Sequence, residues 1–215
     1  MSANAATPVS ERTRAAWQSG WWRRAVAIPS PNCSARPPGI IVSLVVLHSI
    51  SLPPGSYGGD AIERLFTNRL DWNAHPYYQS IRDLRVSAHF VIRRDGKLLQ
   101  FVSCDQRAWH AGVSTWRGRD NCNDYSIGVE LEGLEGQTFE PAQYAALVTL
   151  LRSLARRHRA LQIVGHEHVA PARKHDPGAG FDWALLASLL RWRAARIPFA
   201  SRSSNDAVDA RESAL

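Results

Sequence analysis

The segment GHEHVAPARKHDPG at 165–178 carries an unusual density of side chains that can do chemistry. It holds three histidines, two carboxylates and one lysine within fourteen positions. Because such groups are costly to bury unpaired, the segment is either a solvated loop or a functional site. Two histidines and one acidic ligand, with one coordination position left open, make a common hydrolytic zinc site. The segment therefore has the ligand types needed for metal-assisted hydrolysis.

The local backbone constrains which of these side chains can act together. Asp176 precedes a proline, which favours an extended conformation, and in an extended chain residues two apart share a face. Lys174 and Asp176 are then expected to point the same way, with His175 turned away. The same reasoning places His166 and His168 on one face, so spacing does not choose between them as ligands.

Two other segments bring a histidine and carboxylates to predicted strands. The apolar run IIVSLVVLHSIS at 40–51 is rich in β-branched residues and reaches His48 near its end, which indicates a buried strand. YSIGVELEG at 125–133 alternates like a strand and carries Glu130 and Glu132. Two glutamates with this spacing are also typical of the solvent face of an edge strand. The supply of ligands is adequate, but the pattern alone does not select them.

The elements that would position these groups alternate along the chain. Besides the two strands just described, Asp95–Gly96 predicts a hairpin between two strands, and LQIV at 161–164 predicts a short strand. Helical spacing is found at 60–72, 141–159 and 181–196. Strands interleaved with helices predict an α/β fold, a single domain with a central mixed β-sheet flanked by helices. In such sheets ligands bind just beyond the strand ends, where the polar groups are expected to meet.

Length and composition indicate one soluble domain. A chain of 215 residues supports one good core, and we predict a flexible N-terminal segment at 1–20, a folded domain at 21–198 and a disordered tail at 199–215. No apolar run approaches a membrane span, and no apolar signal-peptide core is present near the N-terminus, so we expect a cytoplasmic protein without membrane association. The three cysteines are widely spaced, which predicts free thiols.

The basic residues argue against a nucleic-acid partner. The formal net charge is +7, but the arginines are scattered instead of forming one stripe, so no nucleic-acid binding is expected. The chain has only two lysines, Lys97 and Lys174, which suggests that position 174 requires an ammonium group and not a guanidinium. We assign structural roles to three further histidines: His75, His110 and His158.

Five sequence blocks resemble a known family. LHSISLPPG, VSAHFVIRRDG, AWHAGVS, CNDYSIGVELEG and VGHEHVAPARKHDPG recur in this order between about residues 20 and 180. They resemble the type 2 N-acetylmuramoyl-L-alanine amidases, and more narrowly the cytoplasmic members that act on 1,6-anhydro-muropeptides. The resemblance implies a fold like that of the type 2 amidases and peptidoglycan recognition proteins. It also implies a zinc ion bound by His48, His166 and Asp176, which chooses His166 over His168.

The same resemblance implies roles for four other residues. Glu130 would activate the attacking water, and Lys174 would stabilise the oxyanion of the tetrahedral intermediate. Arg85 and Trp109 match positions that contact substrate in the family. Trp109 offers a flat apolar face to a sugar, and Arg85 offers a donor fork to polar substituents or peptide carboxylates.

The predicted reaction is hydrolysis of the amide bond between the lactyl group of (1,6-anhydro-)N-acetylmuramic acid and L-alanine of the stem peptide, as part of muropeptide recycling. The expected partner is an anhydro-muropeptide substrate, and we expect a monomer. Two alternatives remain open. One is a muropeptide-binding module without activity, because some peptidoglycan recognition proteins have lost ligands. The other is an amidase that acts on the intact cell wall.

Overall fold

A computed structural model describes residues 16–158 and 160–200. Its centre is a six-stranded mixed sheet, whose strands lie in the order β12 (Gln162–Gly165), β5 (Leu44–Ile50), β11 (Ser126–Glu132), β6 (Phe90–Ile92), β7 (Leu98–Gln100) and β3 (Val26–Ala27). The pairs β12/β5, β5/β11, β11/β6 and β3/β7 are parallel, and β6/β7 is antiparallel. The predicted single α/β domain with a mixed central sheet is therefore confirmed.

The strands of the described chain are short except for β5 and β11. They are β1 (Trp17–Gln18), β2 (Trp21–Trp22), β3 (Val26–Ala27), β4 (Cys33–Ala35), β5 (Leu44–Ile50), β6 (Phe90–Ile92), β7 (Leu98–Gln100), β8 (Gln106–Ala108), β9 (Thr115–Trp116), β10 (Arg119–Asp120), β11 (Ser126–Glu132) and β12 (Gln162–Gly165). The helices are α1 (Ala61–Phe66), α2 (Pro76–Ser80), α3 (Pro141–Arg157), α4 (His166–Val169) and α5 (Trp183–Leu190), with a 3₁₀ turn at Cys122–Asp124.

The middle of the sheet is covered on both faces. All seven residues of β11 are buried, as are the first five of β5. Buried parallel strands are apolar on both faces, which explains the nearly continuous aliphatic run before His48. The proposal of an exposed edge strand at 125–133 is wrong, because β11 lies between β5 and β6.

The long helix α3 packs on one face of this sheet. It begins at Pro141 as expected, and its apolar stripe, which includes Leu147, Leu151 and Leu154, belongs to the largest core cluster. Its first turn is tied to the sheet by Gln143, a fully buried polar residue. The Gln143 amide donates to the carbonyl oxygens of Ile92 and Glu132, at the ends of β6 and β11.

Two helices end earlier than their apolar periodicity predicts. The prediction at 60–72 is realised only as Ala61–Phe66, and Asn68 adopts a left-handed backbone just beyond. The prediction at 181–196 is realised as Trp183–Leu190, where Arg191 has a φ of 56°. A left-handed residue directs the chain away from the helix axis, so it ends a helix even where apolar residues continue.

The packed structure extends past both predicted domain boundaries. Trp17 is only 5% exposed, stacks on Trp22 and donates from its indole nitrogen to Ser153. Phe199 stacks on His168. Trp17 and Phe199 thus pack against the domain although they lie outside the predicted range 21–198, because their rings have aromatic partners there. The division of the chain into these three parts stays a prediction. The rest of both predictions, at 1–15 and 201–215, falls outside the described residues.

Within the described chain, no helix has both the length and the apolar character needed to cross a membrane. Cys33, Cys104 and Cys122 are all free thiols, and the last two are buried. This agrees with the predicted free thiols.

Replacing Gln143 with leucine should test how far this buried amide holds α3 on the sheet. The change leaves two carbonyl oxygens and the Glu140 amide N–H, which donates to Gln143 Oε1, without this partner. Each buried group that loses its partner costs about 1–3 kcal/mol. We expect Gln143→Leu to lower the free energy of unfolding, measured in urea, by roughly 2–4 kcal/mol. Thr149→Ala, an exposed change in the same helix, should stay within about 0.5 kcal/mol; equal stability of the two variants would contradict this role.

Candidate active site

Three side chains converge at the end of the sheet with their donor atoms almost equidistant. His48 Nδ1 lies 3.0 Å from His166 Nδ1 and 3.0 Å from Asp176 Oδ2, and His166 Nδ1 lies 3.1 Å from Asp176 Oδ2. The two histidines are 2% and 3% exposed, so the group is nearly withdrawn from solvent. These are the three side chains that the family resemblance implies as zinc ligands, and they form a group able to hold a metal ion.

Each of the three comes from a different element. His48 lies near the end of β5, and His166 is the first residue of α4, directly after β12. Asp176 lies in the loop before α5, and its carbonyl oxygen accepts from the Glu167 amide at 2.9 Å. That hydrogen bond ties the Asp176 loop to α4, so the spacing between His166 and Asp176 is fixed by backbone.

The donor set fits a cation. His166 Nε2 lies 3.0 Å from the carbonyl oxygen of Ala111, which can only accept, so this nitrogen carries the ring proton. The lone pair of His166 Nδ1 then faces the Asp176 carboxylate and His48 Nδ1. When His48 Nδ1 also presents its lone pair, as it must to bind a metal, the three atoms repel one another unless a positive charge lies between them. Zinc bonds of roughly 2.0–2.2 Å place tetrahedral donors roughly 3.3–3.6 Å apart, a little more than the separations of 3.0–3.1 Å found here.

The protonation states suit a metal site. Burial, followed by the nearby His166, lowers the pKa of His48 to about 4, which keeps the ring neutral. Burial alone would raise the pKa of the Asp176 carboxyl, but a ring proton of His166 or His48 that bonds to it in the absence of a metal holds that pKa below its usual range. A neutral imidazole at His48 and an ionised carboxylate at Asp176 are the forms in which these groups bind metals.

Glu130 stands beside this group because of strand register. In the parallel pairing of β11 with β5, Glu130 is the partner of His48. Glu130 is 9% exposed, and its buried Oε2 has no hydrogen-bond partner among the described residues. Burial raises the pKa of Glu130 well above its usual value, and Asp176 raises it further, while Lys174 acts in the opposite direction. A carboxyl in this environment is suited to accept and return a proton near neutral pH.

Glu132, two residues along the same strand, is in a different situation. Its Oε1 accepts from Arg93 Nη1 at 2.5 Å and from the Gly58 amide at 2.8 Å. Its Oε2 accepts from the Arg94 amide at 3.2 Å. Its charge is therefore neutralised and its oxygens are occupied, so Glu132 holds the loop at residue 58 in place. The structure separates two glutamates that the sequence pattern left equivalent.

A cavity of about 450 Å³ opens over the metal-binding group and Glu130. Lys174 lines this cavity and is partly buried. His175, an exposed residue, is also among the residues that line it, and the direction expected for its side chain stays a prediction. The loop after α4 does not form a regular strand, and the consecutive residues 173–176 all line the same cavity. The Asp176–Pro177 peptide bond is cis.

His168 does not share a face with His166. Residues 166–169 form one helical turn, in which positions two apart point in different directions. His168 Nδ1 accepts from the Gly165 amide at 2.8 Å, and its ring stacks on Phe199. The extended conformation assumed for this pair is wrong, because α4 starts immediately after β12.

The rest of the cavity wall is largely apolar. Trp109 lines it and is partly buried, with its indole nitrogen donating to Ser34 Oγ at 3.3 Å. Arg85 is exposed and does not line the cavity, although both of its chain neighbours do. Apolar side chains supply most of the remaining wall: Ile50, Leu52, Leu65, Phe66, Ile81, Leu84, Val86 and Leu134.

Sequence reasoning did not place His110 in the site. His110 was given a purely structural role, yet its Nδ1 lies 3.0 Å from His48 Nε2 and its ring lines the cavity. Burial lowers the pKa of His110 well below its usual value, and the neighbouring His48 lowers it further. The available signal was its place in the block AWHAGVS, directly after Trp109. His75, in contrast, caps α2 by accepting from the Tyr77 amide, away from the site.

Comparisons with known proteins find similarity over most of the chain. Residues 37–179 match the family model described as N-acetylmuramoyl-L-alanine amidase. The 1,6-anhydro-N-acetylmuramyl-L-alanine amidase AmpD of Citrobacter freundii is 50% identical over 173 residues, which cover 80% of this chain and 92% of that protein. A crystal structure of a selenomethionine derivative of AmpD superposes with a TM-score of 0.79 at 49% identity, covering 80% of this chain and 98% of the other.

A more distant neighbour is bound to a substrate. The structure of the Escherichia coli amidase AmiD with anhydro-N-acetylmuramic acid-L-Ala-D-γ-Glu-L-Lys has a TM-score of 0.51 and 28% identity, and the match covers 72% of this chain and 60% of that one. The fold, the matched family model and the half-identical relative all agree. The chain therefore belongs to the N-acetylmuramoyl-L-alanine amidase family.

Proposed function

We propose that this protein is a zinc-dependent amidase. It cleaves the amide bond between the lactyl group of 1,6-anhydro-N-acetylmuramic acid and L-alanine of the stem peptide. The observation that carries the proposal is the convergence of His48 Nδ1, His166 Nδ1 and Asp176 Oδ2 within 3.1 Å of one another. Beside them lies the buried carboxyl of Glu130, whose Oε2 has no hydrogen-bond partner in the part of the chain that the structure describes. The names of the AmpD relatives and the substrate bound to AmiD support the choice of bond and sugar.

His48, His166 and Asp176 would hold the metal. Zinc bound there would supply Lewis-acid polarisation of the amide carbonyl and would lower the pKa of a water molecule toward ~7. The cavity above the ligands is open on one side, which leaves access for water and substrate. This favours a catalytic zinc over a structural one, which is closed by four protein ligands.

Glu130 would carry the proton. It takes a proton from the attacking water while the water oxygen bonds to the carbonyl carbon, and it returns this proton to the leaving nitrogen as the carbon–nitrogen bond breaks. Its raised pKa favours both steps, since a carboxyl that binds a proton readily is a stronger base than an exposed glutamate. Lys174, which lines the same cavity, would donate a charge-assisted hydrogen bond to the oxyanion.

The substrate would be held by the cavity walls. Trp109 lines the cavity, and its ring is suited to the apolar face of the sugar. Arg85 lies outside the cavity on the exposed surface, so its contact would be with parts of the substrate that extend beyond the opening. Both roles, the cytoplasmic location, the monomeric state and the absence of a nucleic-acid partner stay predictions.

Removal of the metal tests the proposal as a whole. Zinc-loaded protein should release L-alanyl peptide from a purified anhydro-muropeptide, measured by chromatography. Treatment with a strong chelator should abolish this release, and readdition of one equivalent of zinc should restore it. Undiminished hydrolysis by thoroughly metal-free protein would exclude the metal-dependent reaction. Binding of the muropeptide without hydrolysis by zinc-loaded protein would instead identify a binding module.

Substitution of Lys174 separates oxyanion stabilisation from metal binding. Lys174→Ala should retain zinc but lose about 10²–10³-fold in kcat, as is found when one oxyanion donor is removed. Lys97→Ala is the matched control, because Lys97 is the other lysine of the chain and lies in the β6–β7 turn. The zinc content of both variants would be measured by atomic emission. Loss of zinc from Lys174→Ala would show that the ammonium acts on the metal site and not on the substrate.

Substitution of Glu130 isolates the proton transfer. Glu130→Gln keeps the shape of the side chain but removes the proton acceptor, so kcat should fall by about 10²–10⁴-fold. Zinc affinity and the thermal unfolding midpoint should change little, because the glutamine places no net charge in the same buried position. A variant that retained most of its activity would rule out Glu130 as the general base.

The choice between substrates needs a separate comparison. We expect turnover of soluble anhydro-muropeptides to exceed that of intact sacculi, because the cavity is small and is set into the end of the sheet. The two substrates would be compared at equal concentrations of cleavable amide. Preferential hydrolysis of sacculi would favour the alternative, an amidase that acts on the intact cell wall.

A further inference from the structure

We propose that His110 and the backbone carbonyl of Ala111 form a bracket that orients both histidines of the metal site, with His110 as the positioning residue for His48. This inference rests on the proposed metal site. The outer nitrogens of the two rings are His48 Nε2 and His166 Nε2. They face away from the cluster formed by His48 Nδ1, His166 Nδ1 and Asp176 Oδ2.

The outer nitrogen of His48 is bound by His110. His48 Nε2 lies 3.0 Å from His110 Nδ1, and His110 Nε2 lies 3.1 Å from Ser126 Oγ. If His48 uses Nδ1 as a metal ligand, its proton lies on Nε2 and is donated to His110 Nδ1. His110 then carries its own proton on Nε2 and donates it to the Ser126 hydroxyl. One arrangement of hydrogens satisfies all three side chains, and it fixes the tautomer of each ring.

The outer nitrogen of His166 is bound by the next residue of the same segment. His166 Nε2 donates to the Ala111 carbonyl oxygen at 3.0 Å. That oxygen also accepts from Arg173 Nη2 at 2.7 Å, which holds the carbonyl from the other side. Two consecutive residues therefore orient two ligands that are 118 positions apart in the chain.

The bracket is itself held in place. Asn123 Oδ1 accepts from both the His110 amide at 3.2 Å and the Ala111 amide at 2.8 Å. The Asn123 carbonyl oxygen in turn accepts from the partly buried Arg36 guanidinium at 3.2 Å. These bonds fix the backbone of the bracket against the 3₁₀ turn that precedes β11.

The His110 ring has no room to move toward the sheet. A Cβ atom at Gly128 would lie 2.5 Å from His110 Cγ, so the ring packs directly on the β11 backbone. Gly128 precedes Glu130 by two residues and is on the same face of the strand. The slot that holds His110 is thus part of the strand that carries the catalytic carboxyl.

Partners that bind the outer nitrogen of a histidine ligand fix its tautomer and direction, and their loss elsewhere weakens metal affinity by 10–100-fold. We expect a similar loss for His110→Phe, which retains an aromatic ring but removes the acceptor. His110→Asn should recover much of the affinity, because its Oδ1 can accept near the position of the histidine Nδ1. His75→Phe is the matched control, since this histidine lies at the start of α2 outside the site.

The primary measurement is the zinc dissociation constant from competition with a chromophoric chelator, made on protein shown to be folded by circular dichroism. Affinity of His110→Phe equal to that of the unaltered protein would overturn the inference and leave the proposed function intact. Failure of the unaltered protein to bind zinc would instead refute the proposed metal site. Turnover is not the readout, so the two failures are distinguishable.

A second measurement needs no substitution in the site. In zinc-loaded protein labelled with ¹⁵N-histidine, nuclear magnetic resonance reports which ring nitrogen of each histidine carries a proton. We expect His110 to carry its proton on Nε2 and to accept at Nδ1 a hydrogen bond from His48 Nε2–H. A proton on His110 Nδ1 would overturn the inference, whether or not His110→Phe folds. Ser126→Ala, which removes only the hydroxyl at the far end, assists assignment by shifting the His110 Nε2 signals.

Discussion

The parallel pairing of β5 with β11 is the constraint on which the rest of the site depends. It sets His48 directly beside Glu130, at the distance between two neighbouring strands of roughly 4.8 Å. A slip of one residue would turn one of these side chains to the opposite face and would misplace the apolar residues that alternate with them. The packing of Val45, Leu47 and Val129 in the core therefore fixes the register and, with it, the spacing of ligand and carboxyl.

Charge pairing explains why one carboxyl of β11 is available for chemistry and the other is not. Arg93 binds both Glu132 and Glu63, so the charge of Glu132 is balanced within the protein. Among the residues that the structure describes, Glu130 has no such partner, and burial raises its pKa. The two glutamates share a strand and a face, and their difference comes entirely from residues distant in sequence. The same strand thus supplies one group that holds a loop and one that can exchange a proton.

The sequence predicted the elements better than the contacts between them. Hydrophobic runs located β5, β11 and α3, because burial on one or two faces leaves a periodic signal. Local backbone reasoning was wrong at 166–169, where the chain enters a helical turn directly after a strand. Periodicity did not place His110 in the site, because its role depends on contact with His48, which is 62 positions away. Periodicity reports burial, whereas a ligand's hydrogen-bond partner is set by tertiary packing and leaves no local pattern.

Burial also accounts for the way the ligands are supported. Histidines that are 2% and 3% exposed have little contact with water, so the protein must supply acceptors for their outer N–H groups. An unpaired buried N–H would cost about 1–3 kcal/mol and would leave the ring free to rotate. The segment at His110 and Ala111 meets both demands with one side chain and one carbonyl. Burial of the two histidines strengthens the electrostatic interactions among the ligands. It is also the reason that their rings have fixed directions before a cation or substrate arrives.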